Sequence, residues 1–399
     1  MFKKLFILFI LILSAVLWIC YKNKNFNDKS VTIQFASWGS ESEVGILKPI
    51  LADFEKENPD IKVDFMHIPQ NYFQKIHLLF ASNTAPDVLF LNNQYLPIYA
   101  KAGVLENLSA YISENEYNQY YPKALASLSW KADIYAIPRD ISNLVIFYNK
   151  NLFDKYKIQY PHSGWTYDEF LNTAQKLTHL PEVFGISFEE MPLFYLPYMM
   201  MYGGWTQEDT LNFFKNDVLK RSENTKGLIE YANLRNKYHV APFKSESASA
   251  TMAQLFLQGR LGMHLSGRWL VPKYRQEADF DWDIVEFPRI NNKARSVVPL
   301  DASGWAVSKS SKHKQQAIKL VKYLSSKTSS EKFTKSGLIV PARKDVANSK
   351  AFLDGQKPYS AKIFLDIIDS SYITPVTVNY KEILDVLKNK NEELFNKFQ

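Results

Sequence analysis

Tyr135-Ala136-Ile137-Pro138-Arg139-Asp140-Ile141-Ser142-Asn143-Leu144-Val145-Ile146-Phe147-Tyr148-Asn149-Lys150-Asn151-Leu152-Phe153 is the stretch whose reading decides the architecture. Pro138 breaks whatever precedes it, the β-branched and aromatic run Leu144 to Tyr148 has the composition of a buried strand, and the polar pair Asn149-Lys150 closes it. Strand and helix patterns alternate before this stretch, and the alternation restarts after it with different spacing. The stretch therefore reads as the first crossing between two lobes, with a cleft between them.

Outward on the N-terminal side, Val31 to Ala36 alternates as a strand and ends at Ser37-Trp38-Gly39-Ser40. Val44, Leu47, Leu51 and Phe54 follow at helical spacing and stop before Asn58-Pro59. Ile61 to His67 is a second strand, Tyr72 to Ala81 a helix, and Pro86 to Leu91 a buried third strand. This βαβαβ order predicts a parallel sheet with right-handed crossovers. Ligands of such sheets sit outside the carboxyl ends of the strands, which places Trp38 and Asn93-Gln94-Tyr95 at one mouth.

On the C-terminal side, Thr166 and Glu169 form a capping box for a helix whose apolar face is Phe170, Ala174 and Leu177. Met199 to Trp205 reads as an apolar helix end turned by two glycines, and Phe256 to Trp269 as a turn, a short strand and a helix start carrying the pair Arg268-Trp269. Phe280 to Phe287 alternates as a strand before Pro288. Two further Pro-marked junctions follow, at Pro299 and Pro341, with the helix Lys314 to Ser325 between them; an amphipathic helix, Tyr380 to Phe398, ends the chain.

Composition excludes several function classes. At 399 residues with 46% apolar side chains the chain has a sizeable core and room for two domains. The net charge of +7 suggests nucleic acid until it is located: five lysines and one acid lie in the first 30 residues, and the other 43 basic and 40 acidic groups leave only +3. No basic block with interleaved aromatics follows, so no nucleic acid partner is expected. One cysteine, Cys20, rules out internal disulfides and thiolate metal sites, and the seven histidines show no pair at ligand spacing. Neither a metal nor another cofactor is expected. The aromatic fraction is 15%, and Trp and Tyr line recognition clefts as well as cores.

Lys3-Lys4 precede an uncharged apolar run from Leu5 to Cys20. As a helix that run spans about 24 Å, short of the roughly 30 Å of bilayer hydrocarbon, so residues 1–20 read as a signal peptide or membrane anchor. Cys20 stands where a bacterial lipoprotein carries its lipidated cysteine, although Trp18-Ile19 before it are larger than such signals use. Lipidation, an uncleaved anchor and ordinary cleavage all place the protein outside the cytoplasm, at the membrane or in the periplasm. Residues 21–30 are polar and Asn/Lys-rich and read as a tether.

Several stretches together resemble the family 1 extracellular solute-binding proteins of carbohydrate ABC importers, the maltose-binding-protein type. They are Phe54 to Pro59 with Ile61-Lys62-Val63, Ala85 to Val88, Ile137 to Asp140 through Lys150, Trp165 to Phe170, Gln258-Gly259-Arg260 through Trp269, Ser303 to Val307, and Ile339 to Arg343. They cover nearly all of residues 31–345 in family order, and their ordered sum is what carries the likeness. The resemblance implies a two-lobed α/β fold, the type II periplasmic-binding-protein fold, with three crossovers joining the lobes around a ligand cleft. The junctions near Arg139, Pro299 and Pro341 sit where those crossovers would fall. Lobe one would be residues 31–139 with 300–340, and lobe two 140–299 with 341–399.

By the same likeness the chain would be a monomer and not an enzyme, capturing a sugar and handing it to an ABC permease. A pyranose offers C–H faces that stack on aromatic rings and hydroxyl rims that want bidentate polar partners. The expected stacking residues are Trp38, Trp205 and Trp269, with Tyr95 at the same mouth; Trp165 and Trp305 are placed lower because they often serve packing in the family. The expected hydroxyl contacts are Gln94, Asp140, Arg268, Asp301, Ser303 and Arg343. One alternative stays within the fold: a sugar-phosphate or glycerophosphodiester held by Arg139, Arg268 and Arg343, which three converging guanidinium groups without compensating acids would favour. A glycosidase would need two carboxylates facing across a cleft; Glu189-Glu190 and Asp281 with Asp283 read instead as a solvated turn and the polar face of a strand.

Overall fold

The computed structural model describes residues 30–395 apart from 248, together with residue 14. Cys20, the apolar run apart from Ser14, and residues 21–29 lie outside the described residues, as do the last four of the chain. Two sheets organise the rest. Thirteen strands appear in chain order: β1 (Val31–Ser37), β2 (Ile61–His67), β3 (Val88–Asn92), β4 (Ser129–Trp130), β5 (Asp133–Ile134), β6 (Ala136–Ser142), β7 (Leu144–Asn149), β8 (Phe184–Ile186), β9 (Leu261–Gly267), β10 (Trp282–Val285), β11 (Pro299–Val307), β12 (Val340–Pro341) and β13 (Tyr372–Ile373).

The first sheet has the order β12-β6-β11-β3-β1-β2, with β13 beside β11; the second has the order β10-β7-β9-β8, and β4 and β5 form a small hairpin. β1 runs parallel to both β2 and β3, as the βαβαβ reading requires, and β11 returns antiparallel against β3 and β6. Helices Glu41–Glu57 and Tyr72–Ala81 bury Leu47, Leu51, Phe54 and Ile76 with the first sheet. In the second lobe, helix Tyr167–Leu177 opens with the Thr166/Glu169 capping box and buries Phe170, Ala174 and Leu177.

The opening stretch divides between the two sheets. β6 lies in the first, β7 in the second, and Asn143 alone separates them. The expected division at 139/140 falls inside β6, which pairs with β11 as far as Ser142. Pro138 does not break the chain; it sits within β6 opposite Gly304. Proline is tolerated there because β12 reaches only Ile141 and Asp140, so at Pro138 the strand has a ladder on one side only, next to a bulge at Ser303/Gly304. A Cβ on Gly304 would stand 2.2 Å from the Ile137 carbonyl oxygen, so the close approach of β6 and β11 needs glycine at this position.

The chain crosses back to the first sheet between β10 and β11, leaves it after β12, and returns once more for β13 beside β11 before the last helix. Helix Tyr380–Phe395 packs on helices Ser222–Asn236 and Pro192–Met201 of the second lobe. Among the described residues no helix is long and apolar enough to cross a membrane.

Candidate functional site

A cavity of about 240 Å³ lies between the two sheets. The first lobe contributes Trp38 and Glu43, then Arg139 to Ser142, Ser303, and Leu338 to Val340; the second contributes Arg268 and Trp269. A larger hollow of about 420 Å³, lined by Ser163, Trp165, Glu286, Arg289 and Asp366 among others, is walled mainly by the second lobe. The smaller cavity is the one into which both lobes project.

Each wall follows from local structure. β1 ends at Ser37 and delivers Trp38, whose ring meets Tyr72, Phe73 and Phe90 edge-on at centroid distances of 5.1, 5.2 and 4.4 Å. Ser40 then caps the next helix, accepting from the Glu43 amide at 3.3 Å, so that the first turn aims Glu43 back at the cavity. Glu43 Oε1 accepts from Arg139 Nη1 at 2.6 Å, and Asp140 accepts from Arg139 Nε at 2.6 Å. The Arg139 guanidinium lies 4.2 Å over the Phe90 ring. Burial alone would lower the Arg139 pKa, but Asp140 and Glu43 hold it above its ordinary value. For Asp140 burial outweighs the attraction of Arg139, and its pKa is raised; Ser303 hydrogen-bonds the same carboxylate.

On the opposite wall, β9 ends at Gly267 and a short turn presents Arg268 and Trp269. Trp269 is 37% exposed, the one tryptophan whose ring stands substantially in solvent among the described residues. Its ring folds back across Gly267, where a Cβ would lie 1.9 Å from the ring.

Trp38, Asp140, Ser303, Arg268 and Trp269 are thus brought together. The other expected residues are placed elsewhere. Trp205 is 2% exposed, with its amide bonded to Asn224 Oδ1 at 2.6 Å and its ring beside Phe213; it is a core residue of the second lobe, not an open stacking surface. Arg343 pairs with Asp345 at 2.8 Å and lies outside the cavity. Asp301 accepts from Asn93 at 2.9 Å and more weakly from Gln94 at 3.4 Å, with burial raising its pKa against these bonds and one from Thr374. Tyr95 stacks on Phe73 at 3.7 Å. Gln94, Tyr95 and Asp301 therefore form a second polar group beside the Trp38 wall rather than within the cavity.

Sequence reasoning missed two polar lining residues, Ser142 and Glu43. An acid in the first helical turn has a ready local explanation in the helix dipole, and its partner Arg139 lies 96 residues away. Three of the acids weighed for glycoside cleavage are engaged outside the cavity, Glu190 with Arg235 and Lys244, Asp281 with Lys150 and Lys357, and Asp283 with Ser360, and Glu189, also outside it, is largely buried rather than in a solvated turn.

Two lobes and an interlobe cavity with a tryptophan on each wall define the architecture, and residues 38–331 match the family described as bacterial extracellular solute-binding protein. The chain belongs to that family. Among its relatives, the galactooligosaccharide-binding protein of Bacillus subtilis is 23% identical over 332 residues, spanning 80% of this chain and 75% of that one. An ABC substrate-binding protein from Listeria monocytogenes, solved in complex with cycloalternan, superposes with a TM-score of 0.80 and 26% identity over 93% of this chain and 95% of that one. A maltose-bound MalE3 of T. maritima superposes with a TM-score of 0.78 at 23% identity over 93% and 96%, which speaks to fold. The solute-binding protein described here thus has the two-lobed α/β fold of its neighbours.

Proposed function

We propose that this solute-binding protein captures a sugar or oligosaccharide between its lobes and delivers it to the permease of an ABC importer. The observation that carries the reading is that Trp38 and Trp269 line one cavity from opposite lobes, with Glu43, Asp140, Ser142 and Ser303 as polar groups between them. Indole faces suit the C–H faces of a pyranose, and carboxylates and hydroxyls suit its rim. A ligand touching both lobes is bound only by the closed form, so binding drives hinge closure. The relatives' ligands, a galactooligosaccharide and cycloalternan, belong to the same chemical class.

The phosphorylated alternative loses its support: Arg139 is already matched by Glu43 and Asp140, and Arg343 by Asp345 outside the cavity. The protein binds without catalysing, works as a monomer outside the cytoplasm, and is held at the membrane through the N-terminus, with lipid on Cys20 as one route. Binding is tested by titrating tryptophan fluorescence with a panel of neutral mono- and oligosaccharides. Saturable quenching or enhancement by at least one is expected; silence across the panel overturns the reading.

A further inference from the structure

We propose that Arg268 makes this cavity a site for an acidic saccharide, one whose ring carries a carboxylate; the proposal rests on the saccharide reading above. Arg268 is 2% exposed, and none of its three side-chain nitrogens has a hydrogen-bond partner. Its guanidinium lies 4.0 Å over the Phe352 ring and 5.6 Å from that of Phe364. An aromatic face offsets only part of the loss of water around a buried cation.

Asp354 attracts Arg268 without hydrogen-bonding it, and the acids nearest the cavity are bonded to other arginines. Asp354 is held by Arg275 at 2.9 Å, while Glu43 and Asp140 on the facing wall are both held by Arg139 at 2.6 Å. Buried polar groups in native proteins almost always have partners, and an exception asks for a cause. Here the exception sits next to the exposed ring of Trp269, on the lining of the one cavity described above to which both lobes contribute. Burial and the neighbouring Arg275 lower the Arg268 pKa to about 9, which leaves it charged at neutral pH.

Charge decides which anion fits. Arg139, Glu43 and Asp140 together leave one negative charge on the first wall, and Arg268 supplies one positive charge on the second. The lining is thus neutral as a whole, so a carboxylate seated on Arg268 adds one negative charge to the cavity, while its two oxygens suit the planar guanidinium fork. A phosphate monoester of about −1.5 to −2 would leave a larger excess of negative charge facing Glu43 and Asp140. Because all three nitrogens are buried, the proposed complex requires the side chain to turn off Phe352 for the fork to meet a sugar stacked on Trp269.

The test is calorimetric titration of the purified protein with oligomers of galacturonate, glucuronate and mannuronate, each paired with its carboxyl methyl ester, and with glucose 6-phosphate and neutral oligosaccharides. At least one acid is expected to bind about tenfold or more tightly than its own ester. Arg268→Gln is expected to abolish that preference and Arg268→Lys to keep part of it. The acid-to-ester ratio is read within each variant, so a loss of folded protein cancels. Equal binding of acids and esters, or tight binding of neutral sugars alone, overturns the acidic class and leaves the saccharide reading standing. Preference for the phosphate overturns the carboxylate. A ratio unchanged in Arg268→Gln assigns Arg268 to packing, and absence of binding by every saccharide overturns both.

Discussion

Arg139 Nη1 donates to Glu43 Oε1 at 2.6 Å and so ties β6 to the helix that opens behind Trp38. Arg139 serves two carboxylates, so its loss and the loss of one acid are unequal events. Arg139→Met leaves Glu43 and Asp140 buried together without a counter-charge and is expected to cost about 3–5 kcal/mol. Glu43→Gln leaves Arg139 paired with Asp140 and is expected to cost about 2 kcal/mol, the range of one charge-assisted hydrogen bond. Urea unfolding measures both, and equal losses would refute the shared pairing.

Trp269 is held over Gly267 and open to solvent, so its ring contributes to the ligand more than to the fold. Trp269→Ala is expected to weaken saccharide binding at least about tenfold, with little change in the thermal unfolding of the empty protein. Gly267→Ala pushes the ring aside without removing it and is expected to weaken binding in the same direction. Unchanged affinity in both variants would return Trp269 to packing.

Trp205 makes the opposite pair. Its burial beside Phe213 and its amide bond to Asn224 predict that Trp205→Ala costs about 3–5 kcal/mol of stability. Measured at a temperature where the variant is folded, its saccharide affinity should stay within a few-fold of the parent. A stable variant that no longer binds would restore Trp205 to the site.

These two tryptophans show where sequence reading succeeds and where it stops. Both follow glycine, Trp269 after Gly267-Arg268 and Trp205 after Gly203-Gly204, and both end an apolar run. What separates them is nonlocal: Asn224 and Phe213 close over Trp205, while Trp269 keeps 37% of its surface in solvent. The βαβαβ order was legible because period-2 and helical spacing are local properties of residues 31–91. Pro138 misled because its tolerance depends on β12, some two hundred residues downstream, falling short of it. Arg343 and Asp345 are two residues apart, yet only the folded geometry decides that they satisfy each other instead of a ligand.

Glu189 gives stability a pH dependence with a definite sign. Burial first, and the neighbouring Glu190 second, raise its pKa to about 7, while the Tyr231 hydroxyl binds its backbone amide and carbonyl at 2.9 and 2.8 Å. The folded state then holds a proton that the unfolded chain releases near the ordinary glutamate value, so stability falls as pH rises from about 4.5 to 7. A carboxyl moved that far corresponds to roughly 3 kcal/mol, and partial exposure screens this to about 1–2 kcal/mol. Glu189→Gln is expected to remove this part of the slope, raising Tm at pH 8 and leaving it unchanged near pH 4.5. Parallel pH profiles for the two proteins would show that Glu189 is not the group responsible.

Lys123, on the first-lobe helix Pro122–Ser127, donates to the carbonyls of Ile368, Asp369 and Ser371 at 3.0, 2.7 and 2.6 Å. Those carbonyls lead directly into β13, which pairs with the start of β11 at Pro299 and Leu300, where the chain has just returned to the first sheet. One ammonium therefore pins the returning segment to the first lobe beside the second crossing. Lys123→Met deprives three carbonyls of a charged donor at once and is expected to cost about 2–3 kcal/mol. Because the loss is local to the segment, amide exchange of residues 366–373 should accelerate well beyond what the global change explains. Uniform acceleration across both sheets, with no excess in that segment, would show that Lys123 supports the fold generally and does not pin the crossing.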